Sequence, residues 1–146
     1  MPKYSAQVIA DYFLYKASQD NHELLSNLKL QKLVYYAQGI HLTMGEGPLF
    51  QDEIKAWKYG PAIPDLYQKY KEFGAGGIKA NPNFKPESID IDTSEFLDDI
   101  YNAFGQFSAI RLMELSHTDQ CWKETGPNET ISHDSMKDCL KKYLQK

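Results

Sequence analysis

Apolar residues recur at intervals of three or four positions through the middle of this chain. They form one stripe of a helix and are Leu30, Leu33, Val34, Ala37, Ile40 and Met44. The stripe predicts a central helix from Leu28 to Met44, with Asn27 as its N-terminal cap. Because Lys32 and Tyr36 stand outside the stripe and one turn apart, we expect them to lie side by side on an exposed face.

Similar stripes flanked by capping residues predict most of the remaining chain to be helical. The predicted helices begin at Ser5 and end near Ser18, run from Pro61 to Phe73, start at a Thr93 or Ser94 cap, run from Ser108 to about Ser116, and start at a Ser132 or Asp134 cap. A chain of 146 residues is long enough to bury one sizeable core. The sequence therefore predicts a mainly α, compact helical single domain.

Two short segments are more typical of strands than of helices. Residues 49–58 lie between Pro48 and Gly60 and are too few for a stable helix. Residues 88–91 alternate polar and apolar side chains. We expect these two segments to pair as a small two-stranded β element beside the helical body.

The charge and aromatic content narrow the classes of partner. The formal net charge is −4 and Arg111 is the only arginine, so the basic field that duplex binding requires is missing and we expect no direct nucleic-acid partner. Aromatic residues make up 13% of the chain, including ten tyrosines. Tyrosine suits both cores and partner surfaces, so this bias favours protein recognition.

The two cysteines, Cys121 and Cys139, bear on the compartment. No secretion signal begins at Met1, and no apolar run approaches the roughly 20 residues needed to span a bilayer. We therefore expect reduced thiols, a cytoplasmic location and no membrane partner.

Catalytic and metal chemistry have weak support in the sequence. His117 and Cys121 would meet only on a continuous helix, and no nucleophile-elbow glycines surround either cysteine, so a buried structural thiol is the favoured interpretation. His117, Cys121, His133 and Cys139 lack the close pairs of ligands that are typical of zinc sites. We expect no catalytic residue, no metal and no cofactor.

Several motifs in one order resemble a known family. Lys29 to Tyr36 has the pattern K-L-Q-K-L-x-Y-Y, a strand ending in Ala56-Trp57 follows, and Gly60 to Pro64 has the pattern G-P-x-x-P. Together with Tyr67, Ser116-His117 and Trp122, this order resembles the Panacea domain, also described as the SocA-like antitoxin or phage-associated GepA-like domain. Cys121 departs from the family pattern, since many relatives have proline there. The resemblance implies a Panacea-like domain over residues 1–125. No family pattern covers the stretch from Gly126 onward; there the Ser132 or Asp134 cap and the apolar residues after it predict a C-terminal helix within residues 126–146, packed on the same domain.

The resemblance implies a non-enzymatic antitoxin that neutralises a protein toxin encoded by an adjacent gene. It would act by direct binding or as an adaptor that delivers the toxin to a ClpXP-type protease. The candidate partner-binding residues are Lys29, Gln31, Lys32, Tyr35, Tyr36, Tyr59, Tyr67, His117 and Trp122. For His117 and Trp122 the alternative is structural, with His117 bonded to a backbone carbonyl and Trp122 closing the core. Alternative functions are a phage- or virulence-associated scaffold without a toxin and, with less support, a small hydrolase.

Overall fold

A computed structural model describes residues 2–19 and 24–144. Within these ranges the chain is mainly helical with one small antiparallel sheet, which confirms the predicted fold class. The elements are α1 (Ala6–Gln19), α2 (Asn27–Thr43), β1 (Lys55–Trp57), β2 (Gly60–Ala62), α3 (Pro64–Tyr70), α4 (Ile91–Phe104), α5 (Ala109–His117), α6 (Gln120–Glu124) and α7 (His133–Cys139). Single 3-10 turns occupy Lys71–Phe73, Pro86–Ser88 and Leu140–Tyr143.

Helix α2 is the centre of the fold, and α1, α4, α5, α7 and the sheet pack around it. The predicted apolar stripe is buried from Leu30 to Ile40, whereas Met44 lies beyond the helix and is 46% exposed. The side of α2 that carries Lys32 and Tyr36 is buried as well, because the β1–β2 hairpin covers Lys32 and the rings of Phe104 and Tyr143 pack on Tyr36. The expectation that Lys32 and Tyr36 lie on an exposed face is therefore wrong, since their exposed fractions are 1% and 0%.

The helix caps follow the expected chemistry with two shifts in position. Ser26, not Asn27, caps α2, because its Oγ accepts the Lys29 N–H at 3.2 Å. Asp90, not Thr93 or Ser94, caps α4 through a carboxylate that accepts the Thr93 N–H at 3.1 Å. The three remaining predicted caps agree with the structure: Ser5, Ser108 and Ser132 accept backbone N–H groups at the starts of α1, α5 and α7.

The sheet is a hairpin, with a pairing that differs from the prediction. β1 pairs antiparallel with β2, so that Trp57 faces Gly60 and Lys55 faces Ala62. The expected partner strand at 88–91 is absent from the described structure, because Pro86–Ser88 forms a 3-10 turn and Asp90 starts α4. Helix α3 begins at Pro64 rather than Pro61, since Pro61 is the middle residue of β2. Proline suits both a helix start and a short edge strand, which explains the misplaced boundary.

The C-terminal elements pack on α2. Leu140, which is 0% exposed, lies so close to Gly39 that a Cβ at that position would overlap its side chain. Cys121 and Cys139 form a disulfide that joins α6 to the end of α7, which corrects the expectation of free reduced thiols. In the described ranges, no helix is both long enough and apolar enough to cross a membrane.

Candidate functional site

The hairpin turn carries the most exposed aromatic side chain in its region of the fold. Tyr59 is 59% exposed and follows the exposed Lys58 in the two-residue turn between β1 and β2. The Lys58 ammonium lies 5.7 Å from the centroid of the Tyr59 ring, within range of a cation–π contact. The turn therefore presents an aromatic ring and a positive charge together.

Trp57 and Tyr67 form one flank of the hairpin. Their rings meet edge to face with centroids 5.2 Å apart, a preferred geometry for aromatic pairs. The Trp57 indole N–H donates to Asn128 Oδ1 at 3.0 Å, which fixes the ring orientation. Both side chains are partly exposed. This flank is a held, partly apolar surface next to the turn.

His117 and Trp122 form the other flank. Their rings stack with centroids 4.3 Å apart and an angle of 22° between the planes. His117 Nε2 hydrogen-bonds the Lys58 carbonyl at 3.1 Å, and the Trp122 indole N–H donates to the Trp57 carbonyl at 2.9 Å. Each side chain thus binds a hairpin carbonyl, and for His117 this is the kind of bond that the structural alternative expects. We define the hairpin surface as Trp57, Lys58, Tyr59, Tyr67, His117 and Trp122.

A buried lysine lies beneath the hairpin. The Lys32 ammonium donates to the Pro61 carbonyl at 3.1 Å, and burial lowers the pKa of Lys32 to about 7. Gly60 makes this approach possible: it has φ of +103°, and a Cβ there would lie 2.8 Å from Lys32 Cε and 2.5 Å from Ser116 Oγ. Only glycine combines that backbone conformation with so little space.

Gln31 holds the hairpin to α2 from the same side. Its Oε1 accepts the Ile63 N–H at 2.8 Å, and its side-chain amide donates to Asn27 Oδ1 at 2.9 Å. Asn27 in turn donates to the Tyr67 carbonyl at 3.2 Å. These bonds connect the K-L-Q-K segment of α2 directly to the G-P-x-x-P segment.

Two cavities flank the hairpin. One, of about 320 Å³, lies between α2, the hairpin and α3 and is lined by Leu28, Gln31, Lys32, Trp57, Lys58, Tyr59, Gly60, Ala62 and Tyr67. We call it the Lys32 pocket. The other, of about 390 Å³, includes Trp57, Lys58, Trp122 and Lys123 in its lining. The turn residues therefore stand between two concave surfaces.

A second polar cluster lies in the core around Asp119. Its Oδ2 accepts the hydroxyls of Tyr35 and Tyr36 at 2.9 and 3.0 Å, and its Oδ1 is 2.9 Å from the Lys142 ammonium. Burial and the Asp119 charge raise the pKa of Tyr35 and Tyr36 well above the usual range, and they raise the pKa of Tyr143 to about 12. All three tyrosines therefore remain neutral hydrogen-bond donors at physiological pH.

Comparison with known proteins connects these features to a family. The family described as "Antitoxin SocA-like, Panacea domain" matches residues 30–123. The chain belongs to this family. Antitoxin SocA of Caulobacter vibrioides (strain NA1000 / CB15N) is 31% identical over 139 residues, which span 88% of this chain and 70% of the relative. No solved structure matches the chain.

Family membership supports an antitoxin role and implies a toxin partner in general terms. It also suggests a non-enzymatic regulator. The hairpin surface and Asp119 lie within the matched residues 30–123. Asn128, Lys142 and Tyr143, which contact them, and Cys139, the disulfide partner of Cys121, lie C-terminal to that range. The C-terminal segment therefore supplies contacts to family residues from outside the matched range.

The structure separates the nine candidate binding residues of this Panacea-domain chain into four groups. Tyr59, Tyr67, His117 and Trp122 come together on the hairpin surface, Gln31 and Lys32 lie beneath it, Tyr35 and Tyr36 join Asp119, and Lys29 stands apart with its ammonium 2.7 Å from the Gly105 carbonyl. Tyr35, like Tyr36, is 0% exposed. The exposed surface is therefore supplied by the first group, whereas Gln31, Lys32, Tyr35 and Tyr36 of α2 lie buried behind it.

Sequence reasoning missed Asp119 and gave Trp57 no place among the binding residues. Asp119 precedes α6, and an aspartate at a helix start is the one local signal of it in the sequence. Its role as a hydrogen-bond acceptor for tyrosines more than eighty residues earlier leaves no local trace.

The structure also bears on nucleophilic catalysis and metal binding by His117 and Cys121. Helix α5 ends at His117 and α6 begins at Gln120, so the two residues do not share a continuous helix. Cys121 is bonded to Cys139 and is not a free thiol in this structure. Over residues 2–19 and 24–144, His, Cys, Asp and Glu side chains form no group of three or more that could hold a metal ion.

Proposed function

We propose that this protein neutralises a cognate toxin, encoded by an adjacent gene, by binding it through the hairpin surface. The observation that supports this proposal is the exposed Tyr59 and Lys58 turn, held between aromatic flanks in a chain of the SocA-like antitoxin family. Exposed aromatic anchors on a rigid support are typical of binding hot spots. The backbone bonds from His117 and Trp122 supply that support by fixing the hairpin carbonyls.

Binding of this kind serves two mechanisms. In the first, the bound antitoxin masks the active surface of the toxin. In the second, it acts as a proteolytic adaptor and presents the toxin to a ClpXP-type protease. Both require a stoichiometric complex and neither requires a catalytic group, so the hairpin surface serves either one. Residues 1–125 would carry the family function, while the segment from 126 onward would complete the core around α2 and Asp119.

The test is growth rescue when the chain is expressed together with the product of the adjacent reading frame. We expect the unchanged chain to restore growth and the double substitution Lys58→Ala with Tyr59→Ala to lose rescue, because it removes the charge and the ring from an exposed turn without changing the core. Ile91→Ala is the matched control, since Ile91 is 75% exposed and lies at the start of α4, outside the hairpin surface. It should rescue fully.

The half-life of the toxin in the same cells distinguishes masking from the adaptor mechanism. Masking leaves the toxin half-life unchanged or longer, whereas an adaptor shortens it, and deletion of the protease then abolishes protection. A neighbouring product that is not toxic when expressed alone would remove the proposal in favour of the scaffold alternative. Full rescue by the Lys58 and Tyr59 double variant would place binding elsewhere on the molecule.

A further inference from the structure

Lys32 is a buried cation whose hydrogen-bonding capacity is mostly unused. It is 1% exposed, and within residues 2–19 and 24–144 its ammonium bonds a single neutral acceptor, the Pro61 carbonyl. An ammonium group has three N–H donors. Among the described residues no carboxylate pairs with it, although a buried charge is costly unless it is paired. A lysine that only stabilised the fold would be better replaced by an apolar side chain.

The Lys32 pocket brings open space up to this residue, which lines its inner wall and is itself 1% exposed. Its partly exposed walls are Trp57, Tyr67 and Leu28, and Lys58 and Tyr59 stand at its mouth. Its buried lining residues include Lys32 and Gln31. Gln31 uses one of its two amide N–H donors and is uncharged, so Lys32 is the charged group of the buried lining and has two donors left over. A volume of about 320 Å³ accommodates one or two side chains.

The positive charge around the pocket favours a negatively charged occupant. The chain is acidic overall, with a net charge of −4, yet from Lys55 to Pro64 it contains two lysines and no aspartate or glutamate. The hairpin is therefore a locally cationic element in an acidic protein. Such a patch, with a lysine behind it, is complementary to a carboxylate that arrives with apolar neighbours.

From this geometry we propose that the Lys32 pocket receives an aspartate or glutamate side chain of the toxin, whose carboxylate pairs with the Lys32 ammonium while adjacent apolar groups pack on Trp57 and Tyr67. This inference rests on the proposed function, because the occupant belongs to the toxin that the hairpin surface binds. It assigns Lys32 a specificity role: a partner without a matching acid leaves the buried cation unpaired, which penalises the wrong complex. The lowered pKa of Lys32 agrees with a site that lacks its anion.

The test is a double-mutant cycle on the complex between the full chain and the product of the adjacent reading frame, with Kd measured by calorimetry. Lys32→Met keeps the length of the side chain and removes its charge. We expect it to weaken the complex about tenfold or more, as for a desolvated charge pair. Lys71→Met, at an exposed lysine outside the pocket, is the matched control for the loss of one positive charge and should change Kd less than about twofold.

Each aspartate and glutamate of the toxin is then replaced singly by asparagine or glutamine. One toxin variant should bind the unchanged chain about tenfold more weakly, yet bind the Lys32→Met chain no more weakly than the unchanged toxin does. If Lys32→Met fails to fold, Leu28→Trp replaces it, because Leu28 is a half-buried wall residue and the larger ring fills the pocket. In the Leu28→Trp chain, too, the toxin substitution should no longer weaken binding.

The possible failures are distinct. If the unchanged chain binds the toxin and Lys32→Met and Leu28→Trp both bind as tightly, the pocket inference falls and the proposed function stands. If none of the aspartate and glutamate substitutions shows coupling to Lys32→Met, but amidation of the toxin's C-terminal carboxylate does, the occupant is not an acidic side chain. The inference is then overturned. If the unchanged chain binds no product of the adjacent frame, both proposals fall.

Discussion

Tyr36 on the central helix donates its hydroxyl to the buried carboxylate of Asp119 at a distance of 3.0 Å, across 83 positions of sequence. The Tyr36 ring also stacks on Phe104 with centroids 4.4 Å apart. One tyrosine thus connects α2 to α4 through its ring and to the start of α6 through its hydroxyl. Tyr35 donates to the same carboxylate oxygen at 2.9 Å, so Asp119 holds two adjacent residues of the central helix.

Asp119→Ala should destabilise the fold by about 3 kcal/mol or more, because it leaves the buried hydroxyls of Tyr35 and Tyr36 without their acceptor. The free energy of unfolding from urea titration measures this. Asp138→Ala is the matched control: Asp138 pairs with Lys141 at 3.4 Å, but its side chain is 83% exposed. The control should change stability by less than about 0.5 kcal/mol. Equal losses in the free energy of unfolding would show that the buried Asp119 carboxylate stabilises the fold no more than an exposed one does.

Leu33→Ala tests the apolar stripe of α2. Leu33 is 0% exposed in the middle of the central helix, so its truncation removes buried apolar surface and leaves a cavity. We expect a loss of roughly 2 to 5 kcal/mol in the free energy of unfolding. Ile110→Ala serves as its control, since Ile110 is 56% exposed on α5 and should change stability little. A melting transition for Leu33→Ala that matches the unchanged protein would contradict the packing of α2.

The sequence predicted the helices well because apolar periodicity reports directly on a buried face. It predicted the surroundings of α2 poorly, because the groups that bury Lys32 and Tyr36 come from distant segments, the Pro61 carbonyl and Asp119. Nothing near position 32 indicates that a lysine would be covered by a hairpin 29 residues later. Periodicity identifies one buried face of a helix; it does not show that a central helix is buried on all sides.

The candidate site was also predictable only in part. The family resemblance rests in part on Tyr67, His117 and Trp122, and the structure brings these three together with Tyr59 at one hairpin. The motif itself does not show which of its members face solvent. Lys32 bonds to that hairpin, and Tyr35 and Tyr36 bond to Asp119, so these three residues of the K-L-Q-K-L-x-Y-Y segment lie in the interior.

Stability should rise with pH between about 7 and 10 because of Lys32. Burial lowers its pKa to about 7 in the folded protein, below the ordinary value of 10.5 that applies when the chain unfolds. In that window the unfolded chain binds more protons than the folded chain, so deprotonation favours folding. The penalty for burying the charge is fully present below about pH 7 and is relieved as the pH rises. The contribution of this one group is at most about 1.4 kcal/mol per pH unit.

Urea titrations at pH 7.5, 8.5 and 9.5 measure this slope, and Lys32→Met is the comparison because it cannot titrate. We expect the unchanged protein to gain stability across the series and the variant to show a flatter profile with higher stability at the lowest pH. The series stops below pH 10 because Tyr35 and Tyr36, whose pKa values are raised by burial, oppose the trend once unfolded tyrosines ionise. Identical slopes for the two proteins would mean that Lys32 keeps an ordinary pKa and is not the buried, unpaired cation described here.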